Sequence, residues 1–184
     1  MALTFEEAYS MGKASRLAMD QHGLGRNECI IGTRVGLAVA KYFGTTAVPV
    51  AGEVVAQNAV TGRRISGGDI EFTPDGNGEF DSTWALHLWM ILDKQWLVDV
   101  TADQLDIPEK NFHIGGPLVV DTMGQAPRAG TKFAAIREDP KDPDATVGVE
   151  YTVVGDGVWR HFRPWKETHL WKPIAATAIK MLTD

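Results

Sequence analysis

The stretch from Trp84 to Thr101 constrains the fold more than any other part of the chain. Two runs rich in apolar, aromatic and β-branched residues flank a short polar turn centred on Asp93. The first is Trp84-Ala85-Leu86-His87-Leu88-Trp89-Met90-Ile91-Leu92 and the second is Gln95-Trp96-Leu97-Val98-Asp99-Val100-Thr101. Strand-type runs joined so closely predict an antiparallel hairpin, because a parallel return needs a long crossover. If the hairpin closes at Ile91 and Gln95, His87 and Asp99 are equidistant from Asp93 and stand directly opposite each other on one face. Their Cβ atoms then lie roughly 4.5–5.5 Å apart, within reach of a carboxylate–imidazole contact. A slip of one residue would send the two side chains to opposite faces.

The surrounding segments predict an α+β domain with N-terminal helices packed on an antiparallel sheet. Thr4-Phe5-Glu6-Glu7 reads as a capping box that opens a helix running to about Gln21. Asn27 is a suitable cap for a second helix, with Ile31, Val35, Ala38 and Val39 at helical spacing and Gly44 at its end. From Val48 the pattern changes to strands. Val48–Val60, Phe133–Arg137, Val147–Val154 and Val158–Phe162 are expected strands, the last two joined by a hairpin turn at Gly155-Asp156-Gly157. Thr73–Gly78 reads as a turn, residues 139–144 as an exposed loop, and the tail as a helix from Pro173. The whole is read as one domain, 1–184, with a core over about 20–105 and C-terminal strands and a helix over 130–184.

With 184 residues, 44% hydrophobic and 23% charged, the chain has the composition of an ordinary soluble globular domain. Its net charge of −6 argues against broad binding to nucleic acid or anionic membrane. No stretch has the length of a membrane span, and the N-terminus lacks the basic start and apolar run of a secretory signal. One cysteine excludes an internal disulfide and thiolate zinc sites, which fits a cytoplasmic location. His113, His161 and His169 show no metal-ligand spacing, Asp75–Asp81 lacks the glycine of a calcium loop, and no phosphate-cradling glycine motif occurs; neither metal nor cofactor is expected. The six tryptophans read as core filling rather than as an aromatic ligand cage.

The remaining question is the thiol of Cys29. The helix assignment puts it in a first turn, where unpaired N–H groups and the positive end of the dipole favour a thiolate and could also receive an oxyanion. Arg26 would support that charge and Glu28 oppose it. Cys29, His87 and Asp99 are thus candidates for nucleophile, general base and orienter of the base. Each has a plainer reading on its own: a buried core cysteine, a structural histidine bonded to Asp99, and an aspartate capping the turn at Thr101.

The order of these parts resembles the transglutaminase-like superfamily of papain-like fold. There a cysteine opens a helix, a histidine lies in a His-x-Trp strand and an aspartate follows a tryptophan, in an Asp-x-Thr run, near the end of the next strand. The matching segments are His87-Leu88-Trp89, Trp96-Leu97-Val98-Asp99-Val100-Thr101 and the strand Ala47–Val54, and the likeness covers roughly residues 20–105. Departures are Val100 where the family often has proline, and the absence of tryptophan or glycine beside Cys29. The Arg-Gly-Gly-x-Cys motif of arylamine N-acetyltransferases is also absent, which ranks acetyl-CoA use below amide chemistry. The resemblance implies a papain-like core and a cysteine-dependent amide or peptide hydrolase, or acyl transferase, acting through a thioester on Cys29. A peptide, a protein or a small amide would be the substrate. Gln21 lies in the region expected of a second oxyanion donor. The rival reading is a non-catalytic binding or assembly module on the same fold; oligomeric state is left open.

Overall fold

The computed structural model describes residues 2–24, 28–60, 62, 64–67, 86–106, 113–155 and 157–184. Trp84, Arg26, Asn27 and the Thr73–Gly78 and Asp75–Asp81 segments lie outside them. The elements are α1 (Phe5–Gln21), α2 (Cys29–Tyr42), β1 (Ala47–Asn58), β2 (Arg64–Gly67), β3 (His87–Leu92), β4 (Trp96–Asp99), β5 (Leu118–Asp121), β6 (Lys132–Asp139), β7 (Asp142–Val153), α3 (Arg163–Lys166) and α4 (Thr168–Thr183). Short 3-10 turns span Ala102–Leu105 and Val158–His161.

The expected capping box is present. Glu7 N–H donates to Thr4 Oγ1 at 3.2 Å and Thr4 N–H to Glu7 Oε2 at 2.8 Å, which satisfies donors that the first turn leaves free. Gly44 takes φ +72° after α2, and its N–H and that of Thr45 return to the carbonyls of Lys41 and Ala40. The start of α2 differs from expectation. Helix geometry begins at Cys29 itself, with Glu28 in the cap position making no side-chain cap bond.

The described strands form one antiparallel seven-stranded sheet in the order β5-β4-β3-β1-β7-β6, with β2 paired to β1 beyond the end of β3. The sheet curls far enough for its edge strands β5 and β6 to touch. One face carries Met90, Leu92, Val98 and Val100 against α1, α2 and α4. The other, enclosed face carries Trp89, Ile91, Leu97, Val120, Phe133, Val149 and Tyr151. β3 is covered on both faces, so all six of its residues are buried; that is why its sequence runs apolar without alternation.

Two glycines one helical turn apart let α2 lie close on this sheet. A Cβ at Gly32 would stand 2.9 Å from Thr101 Cγ2, and one at Gly36 would stand 2.4 Å from Met90 Cε. This approach brings the first turn of α2 onto the ends of β3 and β4.

Four further expectations need correction. The β3–β4 ladder pairs Met90 with Val98, Ile91 with Leu97 and Leu92 with Trp96, so the hairpin closes at Leu92 and Trp96, not at Ile91 and Gln95. Residues 158–162 form a 3-10 turn and the approach to α3 rather than a strand. Residues 139–144 are the tight β6–β7 hairpin rather than a loop: both strands run into it, Asp139 pairing with Asp142. Finally, α4 begins at Thr168 and carries Pro173 within it.

Candidate functional site

The two-residue shift in the β3–β4 ladder carries Asp99 across from Trp89 instead of His87. An even shift preserves the face, and the two side chains meet on the diagonal. His87 Nε2 and Asp99 Oδ2 are 2.6 Å apart. Both lie on the enclosed face, where His87 is 1% and Asp99 0% exposed.

Asp99 spends its lone pairs on local donors. Its Oδ1 accepts the N–H of Thr101 at 3.0 Å, and its Oδ2 accepts the hydroxyl of Tyr151 at 2.8 Å in addition to His87. A buried carboxylate survives only with such partners. Tyr151 is itself fully buried, and desolvation followed by the Asp99 charge pushes its phenol well above the ordinary range. Since a carboxylate only accepts, the ring presents a protonated Nε2 to Asp99. Burial disfavours a second proton on the ring, but the Asp99 charge and hydrogen bond, with Cys29 adding to them, push its pKa up to about 10.

The Cys29 thiol lies within hydrogen-bonding reach of the His87 ring, so the structure brings the three sequence candidates together. Cys29 is the first residue of α2, 8% exposed, and packs with Ile30, Ala51, Leu88 and Trp159. Thr33, one turn into the helix, donates to the carbonyl of Leu88 at 3.0 Å and ties α2 to β3 beside the site. Burial raises the pKa of the neighbouring Glu28 carboxyl.

Above the thiol lies the segment from Gly157 to Lys166. Trp159 is 2% exposed and meets Trp165 edge-on at 4.2 Å between centroids, with Phe162 packed alongside. Arg34 of α2 stands 4.4 Å from the rings of both Trp165 and Trp171 and fastens the segment to the helices. A cleft of about 480 Å³ opens beside this cover. Its walls include Val48, Pro49, Val50 and Ala51 of β1, Lys94, Trp159 and Arg160. Ala51 and Trp159 thus touch the cleft on one side and the Cys29 cluster on the other.

Gln21 is exposed at the end of α1; the carboxamide that reaches the site is that of Gln104, whose Nε2 contacts His87 Nδ1. Gln104, Tyr151 and Trp159 were not singled out in the sequence. For Gln104 the signal was available: it follows Asp99 by five residues, and a hairpin that delivers Asp99 delivers the next turn as well. His113 is buried, whereas His161 and His169 are exposed on the cover and on α4. Among the described residues no cluster of three or more His, Cys, Asp or Glu could hold a metal ion.

No family model matches the chain, and no curated protein matches it. A solved structure described as the crystal structure of genomics target APC5867 is similar, with a TM-score of 0.58 at 12% identity over 97% of this chain and 79% of that one. At that identity the likeness speaks for the α+β fold alone.

Proposed function

We propose that this chain is a cysteine-dependent amide or peptide hydrolase, or acyl transferase, of transglutaminase-like kind, working in a reducing cytoplasm. The observation that carries the reading is the buried line from the Cys29 thiol through the His87 ring to the Asp99 carboxylate. His87 holds the proton taken from the thiol while sulfur attacks the carbonyl carbon, and the N–H groups at the start of α2 face the developing oxyanion. Collapse breaks the C–N bond, and the imidazolium returns its proton to the leaving amine. Water or a second amine then attacks the thioester, giving a proton to His87, and the thiol is regenerated. Asp99 holds the ring in the required tautomer and stays ionised throughout. A peptide, protein side-chain amide or small amide enters along the cleft under Trp159.

Cys29→Ser tests this. The exchange is nearly isosteric and should change stability by no more than about 1–2 kcal/mol. With p-nitrophenyl acetate as the probe, intact mass should show one acetyl group on Cys29 in the parent chain and none in the variant. Equal acylation of a folded Cys29→Ser chain would overturn the assignment. A non-catalytic binding module is the second reading, favoured by the near-complete burial of the thiol under Trp159. It predicts that iodoacetamide labels Cys29 more slowly than a free thiol at pH 7, where an activated thiolate is labelled faster.

A further inference from the structure

The cleft beside Trp159 is the open end of the enclosed core. Val50, Ile91 and Val153 belong to that core and also line the cleft. Val48, two residues before Val50 and on the same face of β1, is left 49% exposed. Backbone bonds tie the walls in place. Thr122, just before the wall formed by residues 124–127, donates its hydroxyl to the Lys94 carbonyl at 3.1 Å and its N–H to the Gln95 carbonyl at 2.7 Å. On the other side, Val154 N–H donates to the Ala51 carbonyl at 3.0 Å. The space of about 480 Å³ is thus formed without a ligand, at a volume usual for small-molecule sites.

The polar groups at its rim are mostly donors. Lys94 stands on the β3–β4 turn, and the Arg160 guanidinium lies over the Trp159 ring, a stacking that leaves its in-plane N–H groups able to donate. The Gln125 carboxamide adds a neutral donor. Among the described residues that line the cleft none is acidic, and neither cation is in an ion pair with a described residue. Arg16, Lys132 and Arg163, by contrast, each hold a carboxylate. In a chain of net charge −6, two uncompensated cations at the mouth of an apolar cleft select a ligand of opposite sign.

We propose that this cleft binds a small organic acid with an apolar body. The body lies on Val48, Val50, Ile91 and Trp159, and its carboxylate reaches Lys94 and Arg160 at the rim. Burial of the body takes the exposed valine surface out of water, while the charge stays where water still reaches it and is not desolvated. Binding of this kind needs neither Cys29 nor His87. Where the Cys29–His87–Asp99 reading holds, Ala51 and Trp159, shared with the Cys29 cluster, make the bound acid a neighbour of the thiol and hence a part of the substrate.

Titrations followed by the backbone and indole N–H resonances in two-dimensional NMR test this with three probes. Octanoate carries both features, octanamide keeps the shape without the charge, and propionate keeps the charge with little apolar body. The parent chain and Cys29→Ser are both used, the latter so that no amide is turned over. Octanoate should shift the resonances of Val48, Val50, Lys94 and the Trp159 indole alike in both chains. It should bind about fivefold more tightly than octanamide, as expected of two exposed ion pairs. Propionate should bind more weakly than octanoate by about tenfold or more, since five methylenes are missing. In the Lys94→Gln/Arg160→Gln double variant octanoate and octanamide should bind equally, whereas Lys94→Arg/Arg160→Lys should keep the preference. Equal binding of the two in the parent chain, a preference that survives the double glutamine variant, propionate binding as tightly as octanoate, or shifts confined to residues outside the cleft would each overturn the assignment. Failure of Cys29 to take up acetyl from p-nitrophenyl acetate, with octanoate still seated in the cleft, would overturn the proposed reaction and leave this site standing.

Discussion

The β3–β4 hairpin and the cover from Gly157 to Lys166 meet at the same thiol but are built in opposite ways. In the hairpin, backbone register sets the position of each functional atom. Asp99 is locked by Thr101, Tyr151 and His87, and the ladder leaves these groups no other arrangement. The cover contributes no strand to the sheet. Two indoles, a phenyl ring and the Arg34 guanidinium hold it to the layer beneath. Hydrogen-bond ladders have one register, whereas aromatic surfaces can slide and separate at modest cost. The candidate site therefore combines a floor fixed by hydrogen bonds with a roof held by aromatic packing. Substitutions in the floor should alter rate constants for bond making, and those in the roof should alter how often the thiol is reached.

The largest effect is expected from Asp99→Asn, which attacks the floor. An amide in this position can donate to the ring, stabilises the wrong tautomer and removes the charge behind the imidazolium. In serine triads the equivalent change costs about 10⁴ in rate, and a thiol should lose less. A pH signature accompanies it. The folded ring keeps its second proton up to about pH 10, against 6.5 for an ordinary histidine. The raised value means that the His87–Asp99 pair contributes its full stability below pH 6.5 and loses it progressively as pH rises through 10. Urea unfolding at pH 6, 8 and 10 should show this decline in the parent chain and a flatter profile in Asp99→Asn. Parallel profiles would break the distinction drawn here, because the floor would then not depend on the charge pair.

Trp159→Ala attacks the roof and should act in the reverse sense. Removing a buried indole costs about 3–5 kcal/mol of stability. Yet labelling of Cys29 by iodoacetamide should accelerate, because the plug over sulfur is gone. Slower labelling in a folded Trp159→Ala chain would show that the cover completes the site rather than closes it.

Gly32→Ala probes the junction of α2 with the floor. The new methyl would meet Thr101 Cγ2 at 2.9 Å, and neither the helix nor the strand end can easily give way. Overpacking of this kind costs about 1–3 kcal/mol. The shift should move Cys29 away from His87, lowering thiol reactivity even in the presence of the intact triad residues. Gly44→Ala, at a helix end with open space but φ +72°, is the matched control that should destabilise without touching reactivity.

The contrast between floor and roof also explains what could be read from the sequence. The floor was legible because its determinants are local. The Thr4–Glu7 box, the β-rich runs around Asp93 and the cysteine before an apolar helical stripe each act within a few residues. The closing pair of the hairpin lies one residue further along each strand than expected, a register change of two, because Asp93 and Lys94 both adopt positive φ, at 46° and 61°, in a turn without glycine. Asp93 is held there by a tertiary contact, its carboxylate accepting Thr46 N–H at 3.0 Å and Thr46 Oγ1–H at 2.8 Å. The error was harmless to the site because faces repeat every two residues. The roof was illegible for the complementary reason. Val158-Trp159-Arg160-His161-Phe162 has the composition of a strand, but burial of Trp159 against Cys29 and Ala51 decides its shape, and no local pattern encodes that contact. Tyr151 was hidden in the same way: its alternation predicts a strand, and only the curl of the sheet brings its hydroxyl to Asp99.

The smallest effect, and the finest test of where the roof opens, is expected at Arg160. Its guanidinium lies 4.4 Å from the Trp159 ring, at the exposed rim of the cleft, where a cation–π contact is worth about 0.5–1 kcal/mol. Arg160→Ala should therefore barely change stability. Charge at the entrance should still be felt by whatever passes it. Arg160 and Lys94 both line the cleft, so an anionic reagent is drawn in relative to a neutral one of the same size. The ratio of Cys29 labelling by iodoacetate to that by iodoacetamide should fall about twofold in Arg160→Ala, as expected for one charge at roughly 10 Å in high dielectric. Raising the ionic strength to about 1 M should shrink the difference by shortening the screening length to about 3 Å. Comparing two reagents in the same chain cancels any change in the thiol itself, so only the path is measured. A ratio that does not move would mean that reagents reach sulfur by another route, and the cleft beside Trp159 would lose its claim to be the entrance.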